Sequence, residues 1–69
     1  MKLSARNVIK GTVKSLNPGM VNTEVCIDIG NGQELVSIIT KSSAEKLELA
    51  TGKNVYAVVK ATNVMVAVD

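Results

Sequence analysis

The amino-acid sequence predicts an all-β chain interrupted by one short helix, and three observations carry that prediction. Val21, Thr23, Val25, Ile27 and Ile29 alternate with Asn22, Glu24, Cys26 and Asp28, the period of two that marks a half-buried strand. "GNGQ" (Gly30–Gln33) supplies an Asn-Gly turn of the kind that folds such a strand back on its successor. Eleven valines in 69 residues, with no Phe and no Trp, recur in further short runs rather than at helical spacing.

The elements follow in order. Asn7–Ser15 sets Ile9, Gly11 and Val13 against Lys10, Thr12 and Lys14, and "NPG" at Asn17–Gly19 ends this first strand. Val21–Ile29 is the second, and the Asn-Gly turn joins it to a third over Glu34–Thr40. Ser42 and Glu45 have capping-box spacing at the head of "SSAEKLEL", a short helix whose Leu47 and Leu49 are expected to face inward before Gly52 stops it. Asn54–Lys60 and Asn63–Val68 read as fourth and fifth strands, joined by a brief turn near Ala61–Thr62. The order β-β-β-α-β-β matches the partly open five-stranded barrel of the OB-fold, an OB-like barrel occupying residues 1–69 as a single domain.

A lone core of this size supplies only about 3–5 kcal/mol, so some staple is expected. The single Cys26 and the absence of His exclude an intrachain disulfide and a structural zinc site, which leaves oligomerisation. The 46% hydrophobic content agrees, since it is more apolar surface than so small a body hides alone. "MKLSARN" has no apolar stretch of signal-peptide length, and no run approaches the ~20 apolar residues of a membrane span. A soluble, cytoplasmic protein with no membrane partner is expected, and a free cysteine suits that reducing compartment.

Enzymatic chemistry is disfavoured. Without His, acid–base work would fall to Asp, Glu, Lys or the one Tyr, and no carboxylate pair shows catalytic spacing. Cys26 lacks an activating base and reads as a small surface or interface residue, Tyr56 as packing, and Lys10 and Lys14 as solvated. Binding of single-stranded nucleic acid, a frequent OB-fold role, needs aromatic platforms that one tyrosine does not provide; a module for such a strand or for a protein partner is the alternative reading. A small anion needs only hydroxyls, backbone N–H groups and one or two cations. Three places offer them. Ser4 and Arg6 lie two apart in "LSARN" and would point the same way in an extended segment; Thr40 and Ser43 flank a strand–helix junction in "IITKSSAEKL"; and Lys60 stands alone in the apolar "VVKAT".

"SARNVIKGTV", "ITKSSAEKL" and the Val-Lys-Ala-Thr run, with "NPG" and the Asn-Gly turn between them, resemble the molbindins, the small molybdate-binding proteins of the TOBE domain family. The similarity runs over essentially the whole chain. It implies an oxyanion site between subunits, with Ser4, Arg6, Lys60 and the backbone at Ala61 from one chain and Thr40 and Ser43 from its neighbour. It further implies a homo-hexamer built as a trimer of dimers, with additional anion sites near the threefold axes. The implied role is cytoplasmic storage, buffering and homeostasis of molybdate, with tungstate accepted in its place; no nucleic-acid partner is expected, on the ground of the single tyrosine. "GNGQ" and "LELATGKN" depart from commoner family wording only in loops away from the matched positions.

Overall fold

The computed structural model describes every residue, Met1–Asp69. Four strands form one antiparallel sheet in the order β3-β2-β1-β4: β1 spans Asn7–Pro18, β2 Asn22–Gly30, β3 Gln33–Thr40 and β4 Asn54–Val59. A six-residue helix, α1 (Lys41–Lys46), joins β3 to β4. The sheet curls into a half-barrel, the mostly-β, one-helix architecture that the sequence predicts.

The period-two pattern decides which face turns inward. Val13, Thr23, Val25 and Ile27 are the buried residues, and Leu16, Ile29, Leu35, Ile39, Leu49, Val55 and Ala57 pack around the three apolar ones. β1 keeps this face through a β-bulge between Val13 and Ser15, which is why Leu16 rather than Ser15 follows Val13 on the inner side. At the β2–β3 hairpin, Asn31 and Gly32 both adopt positive φ, 54° and 74°, the requirement of a type I′ turn.

Gly11 is required by space. A Cβ there would stand 2.5 Å from Ile27 Cγ2 and 2.8 Å from the Asp28 carbonyl oxygen, so β1 and β2 approach closely only because position 11 has no side chain.

Three details differ from the sequence-based expectation. The helix is capped by Thr40, whose Oγ1 accepts from the Ser43 N–H at 3.0 Å, and not by a Ser42–Glu45 box, because β3 runs on to Thr40 and leaves that residue extended at the boundary. The helix stops near Leu47 instead of Gly52. Glu48 takes φ 53°, and the Lys53 ammonium donates to the Leu47 and Glu48 carbonyls at 2.6 and 3.2 Å, satisfying the end of the helix. Leu47 consequently stays largely exposed while Leu49 reaches the core. Finally, Lys60 is followed by a 3-10 turn at Ala61–Asn63, and Val64–Asp69 pairs with no strand of its own chain. The fifth strand is therefore absent from the isolated chain, and an apolar cleft of about 350 Å³, lined in part by Leu35, Ile39, Leu49, Val55 and Ala57, lies open.

Gly11→Ala is expected to destabilise the fold by about 1–3 kcal/mol through overpacking, whereas Lys10→Ala, one residue away on the outer face, stays within about 0.5 kcal/mol. Thermal unfolding of both variants at one protein concentration checks this, and equal melting temperatures would refute the close approach.

Candidate functional site

The β1–β4 ladder builds the candidate site. Its terminal pair is Asn7 with Val59, so the residues just outside it, Arg6 before β1 and Lys60 after β4, meet at one end of the sheet although 54 positions apart in sequence. There a hollow of about 330 Å³ is lined by Ser4, Ala5, Arg6, Lys60, Ala61 and Thr62. It holds two cations, two hydroxyls and no carboxylate. The only ion pair in the chain is Lys14–Glu34, so neither Arg6 nor Lys60 has an acidic partner. The 3-10 turn adds donors: its hydrogen bonds run from Asn63 to Lys60 and from Val64 to Ala61, leaving the N–H groups of Ala61 and Thr62 unused by the turn.

Thr40 and Ser43 sit together elsewhere. Thr40 Oγ1 donates to Ser43 Oγ at 2.8 Å while accepting the Ser43 N–H, which leaves the Ser43 hydroxyl hydrogen free. Neither residue lines the hollow around Arg6 and Lys60. Within one chain, the six residues singled out by sequence therefore divide into a cationic group of four and a hydroxyl pair.

The TOBE domain family matches residues 3–66. The chain is 49% identical over 69 residues to a probable molybdenum-pterin-binding protein of Haemophilus influenzae, covering all of both chains. This chain belongs to the TOBE domain family, as a molbindin. A molybdate-binding protein from Sporomusa ovata superposes with a TM-score of 0.91 at 42% identity, over 97% of this chain and 98% of that one. The cytoplasmic molybdate-binding protein ModG, solved with molybdate bound, is 57% identical with a TM-score of 0.83, over 88% of this chain and 43% of its own. The OB-like fold and the molbindin resemblance expected from the sequence are thus borne out.

Elsewhere this molbindin offers an oxyanion less. A larger hollow of about 620 Å³ is lined by Lys10, Thr12, Asp28, Asn54 and Tyr56 among others, and its Asp28 carboxylate would repel an anion. Tyr56, expected as packing, projects from the outer face of β4 because even-numbered positions there point away from the core. No group of three or more His, Cys, Asp or Glu residues could hold a metal ion.

Sequence reasoning missed one cluster. Lys14, read as merely solvated, is carried by the β1 bulge towards Glu34 and pairs with Glu34 Oε1, while Cys26 Sγ donates to Glu34 Oε2 at 3.1 Å. Only the strand order could bring residues from β1, β2 and β3 into that row. The hydrogen bonds from Lys14 and Cys26 lower the Glu34 pKa, and Glu34 in turn raises those of Lys14 and, chiefly through its hydrogen bond, the Cys26 thiol. Cys26 is a deactivated nucleophile. Glu34→Gln removes the charged acceptor that holds the thiol proton, so the thiolate fraction at mildly alkaline pH rises. Iodoacetamide should then alkylate Cys26 faster than in the wild type, and an unchanged or slower rate contradicts the assigned bond.

Proposed function

We propose that this protein is a non-catalytic oxyanion carrier that binds molybdate, with tungstate as a substitute, at sites completed between two chains. The observation that carries this reading is the hollow in which Arg6 and Lys60 converge with Ser4 and the Ala61 backbone, without a carboxylate. Two unpaired cations held at one sheet end repel each other, and a dianion turns that repulsion into attraction. Guanidinium, ammonium, hydroxyl and peptide N–H are all donors, as a fully deprotonated oxyanion requires. Thr40 and Ser43, paired at a distance from the hollow, supply the complementary half from a neighbouring chain.

The assembly we propose is a homo-hexamer, a trimer of dimers, in the cytoplasm, serving storage and homeostasis of molybdate. Its support is threefold: a chain that buries only four residues by itself, relatives whose names carry molybdenum or molybdate, and one relative described as cytoplasmic. The scarcity of aromatic side chains, with a single Tyr, speaks against a single-stranded nucleic-acid groove.

Calorimetric titration with molybdate tests the assignment. Arg6→Ala and Lys60→Ala should each weaken binding by about 2–5 kcal/mol, roughly tens to thousands in affinity at ~1.4 kcal/mol per tenfold, with the oligomer mass retained. Thr40→Ala removes a neutral donor worth about 0.5–1.5 kcal/mol. It also removes the α1 cap, so Thr40→Ser, which keeps both roles, should remain close to the wild type. A Lys10→Ala control as damaging as Arg6→Ala would refute the site.

Selectivity follows from protons and size. Molybdate, tungstate and sulfate are deprotonated dianions at neutral pH, whereas phosphate keeps a proton for which a donor-rich site has no carboxylate acceptor. An unpaired buried polar group costs about 1–3 kcal/mol. Sulfate avoids that penalty, but its shorter bonds stretch the hydrogen bonds in a cavity shaped for larger ions. The expected order in competition calorimetry is molybdate and tungstate together, then sulfate, then phosphate; phosphate displacing molybdate at equal concentration would overturn the site chemistry.

A further inference from the structure

The hollow around Arg6 and Lys60 contains a second hydroxyl to which the sequence reading gave no role. Thr62 lines it together with Ser4, two positions beyond Lys60. The 3-10 turn keeps it there, closed by the Asn63 N–H donating to the Lys60 carbonyl at 2.9 Å and the Val64 N–H donating to the Ala61 carbonyl at 3.3 Å. Such a turn advances only about 2.0 Å per residue, whereas an extended continuation of β4 would advance about 3.3 Å and carry position 62 away from the sheet end. The hydroxyl has no duty within its own chain. The turn starts at Lys60 without any side-chain cap, and Thr62 Oγ1 enters none of the side-chain hydrogen bonds of the molecule.

We propose that Thr62 is a further oxyanion-binding residue, donating its hydroxyl hydrogen to the ion held by Arg6 and Lys60. The inference rests on the shared-site reading above and deepens it. A deprotonated tetrahedral oxyanion is acceptor-only at all four oxygens, yet hydroxyl hydrogens are scarce among the residues assigned to it. Ser4 has one. The Thr40–Ser43 pair has one more, on Ser43, because the Thr40 hydroxyl is already given to Ser43 Oγ at 2.8 Å. Thr62 supplies a third, on the side where both cations stand and where no carboxylate competes for it. Its branched Cβ restricts χ1, so little rotamer freedom is lost when the hydroxyl is fixed on a ligand.

Thr62→Val tests the role, because it keeps the branched shape, removes the hydroxyl and leaves the backbone hydrogen bonds of the turn in place. In calorimetric titration with molybdate the variant should bind about two- to twelvefold more weakly than wild type, the loss of one neutral hydrogen bond. Its sedimentation mass and its melting temperature without molybdate should be unchanged. Thr62→Ser keeps the hydroxyl and should bind close to wild type, as should Thr51→Val at an exposed threonine outside the hollow. A Thr62→Val protein that binds molybdate as tightly as wild type overturns the proposal. So does a Thr62→Ser protein as weak as Thr62→Val, which assigns the effect to side-chain shape, or a Thr62→Val protein whose mass falls with its affinity, which assigns the hydroxyl to assembly. The two failures are distinct: binding lost with Arg6→Ala but indifferent to Thr62→Val removes Thr62 and leaves the shared site standing, whereas binding indifferent to both variants refutes the site itself.

Discussion

Strand β1 is hydrogen-bonded along both edges, and every other feature of the molecule hangs from that double pairing. Its ladder with β2 buries Val13 against Val25 and Ile27 and is close enough to need Gly11. Its ladder with β4 brings Arg6 and Lys60 to a single end of the sheet. Core and candidate site are therefore not separate achievements: the register that packs the inner face also fixes where the two cations stand. The Thr40–Ser43 pair is held differently, by the local geometry of a helix cap, and needs only the end of β3.

Much of this was legible in the sequence because the relevant signals are local. Alternation over Val21–Ile29 gave β2 and its buried face, Asn31-Gly32 gave the hairpin, and Ser4, Arg6, Thr40, Ser43 and Lys60 stood out as donors lacking acidic neighbours. Less legible were features set by competition between neighbouring elements. Ser42 and Glu45 have the right spacing for a capping box, but β3 extends to Thr40 and its hydroxyl takes the Ser43 amide first. Lys14 looked like any outward lysine because a β-bulge, which shifts register by one residue, leaves no reliable mark in a sequence. Asn63–Val68 carries an alternating apolar pattern that reads as a strand, but a pattern shows only that a segment could pair; here Asn63 closes a 3-10 turn and Val64–Asp69 has no neighbour in the sheet of its own chain.

The exposed apolar inventory points the same way as the divided site. Val36, Ile38, Tyr56 and Val58 on the outer face, and Val64 to Val68 beyond β4, are too many large side chains for a body of this size to leave in water. Small chains without disulfide or metal meet this difficulty by association. The valine content that makes the strands easy to read also leaves much apolar surface of the single chain exposed.

A site divided between chains has a thermodynamic consequence that a site within one chain lacks. Four of the six candidate ligand residues lie in one hollow and two lie outside it, so in the proposed site a lone chain offers an oxyanion only part of the coordination. A ligand that binds the assembled form and not the separate chains stabilises assembly by mass action, and by reciprocity assembly raises affinity for the ligand. Under the proposed shared site, anion binding and subunit association would be two readings of one equilibrium, with the register of β1 against β4 fixing where Arg6 and Lys60 stand.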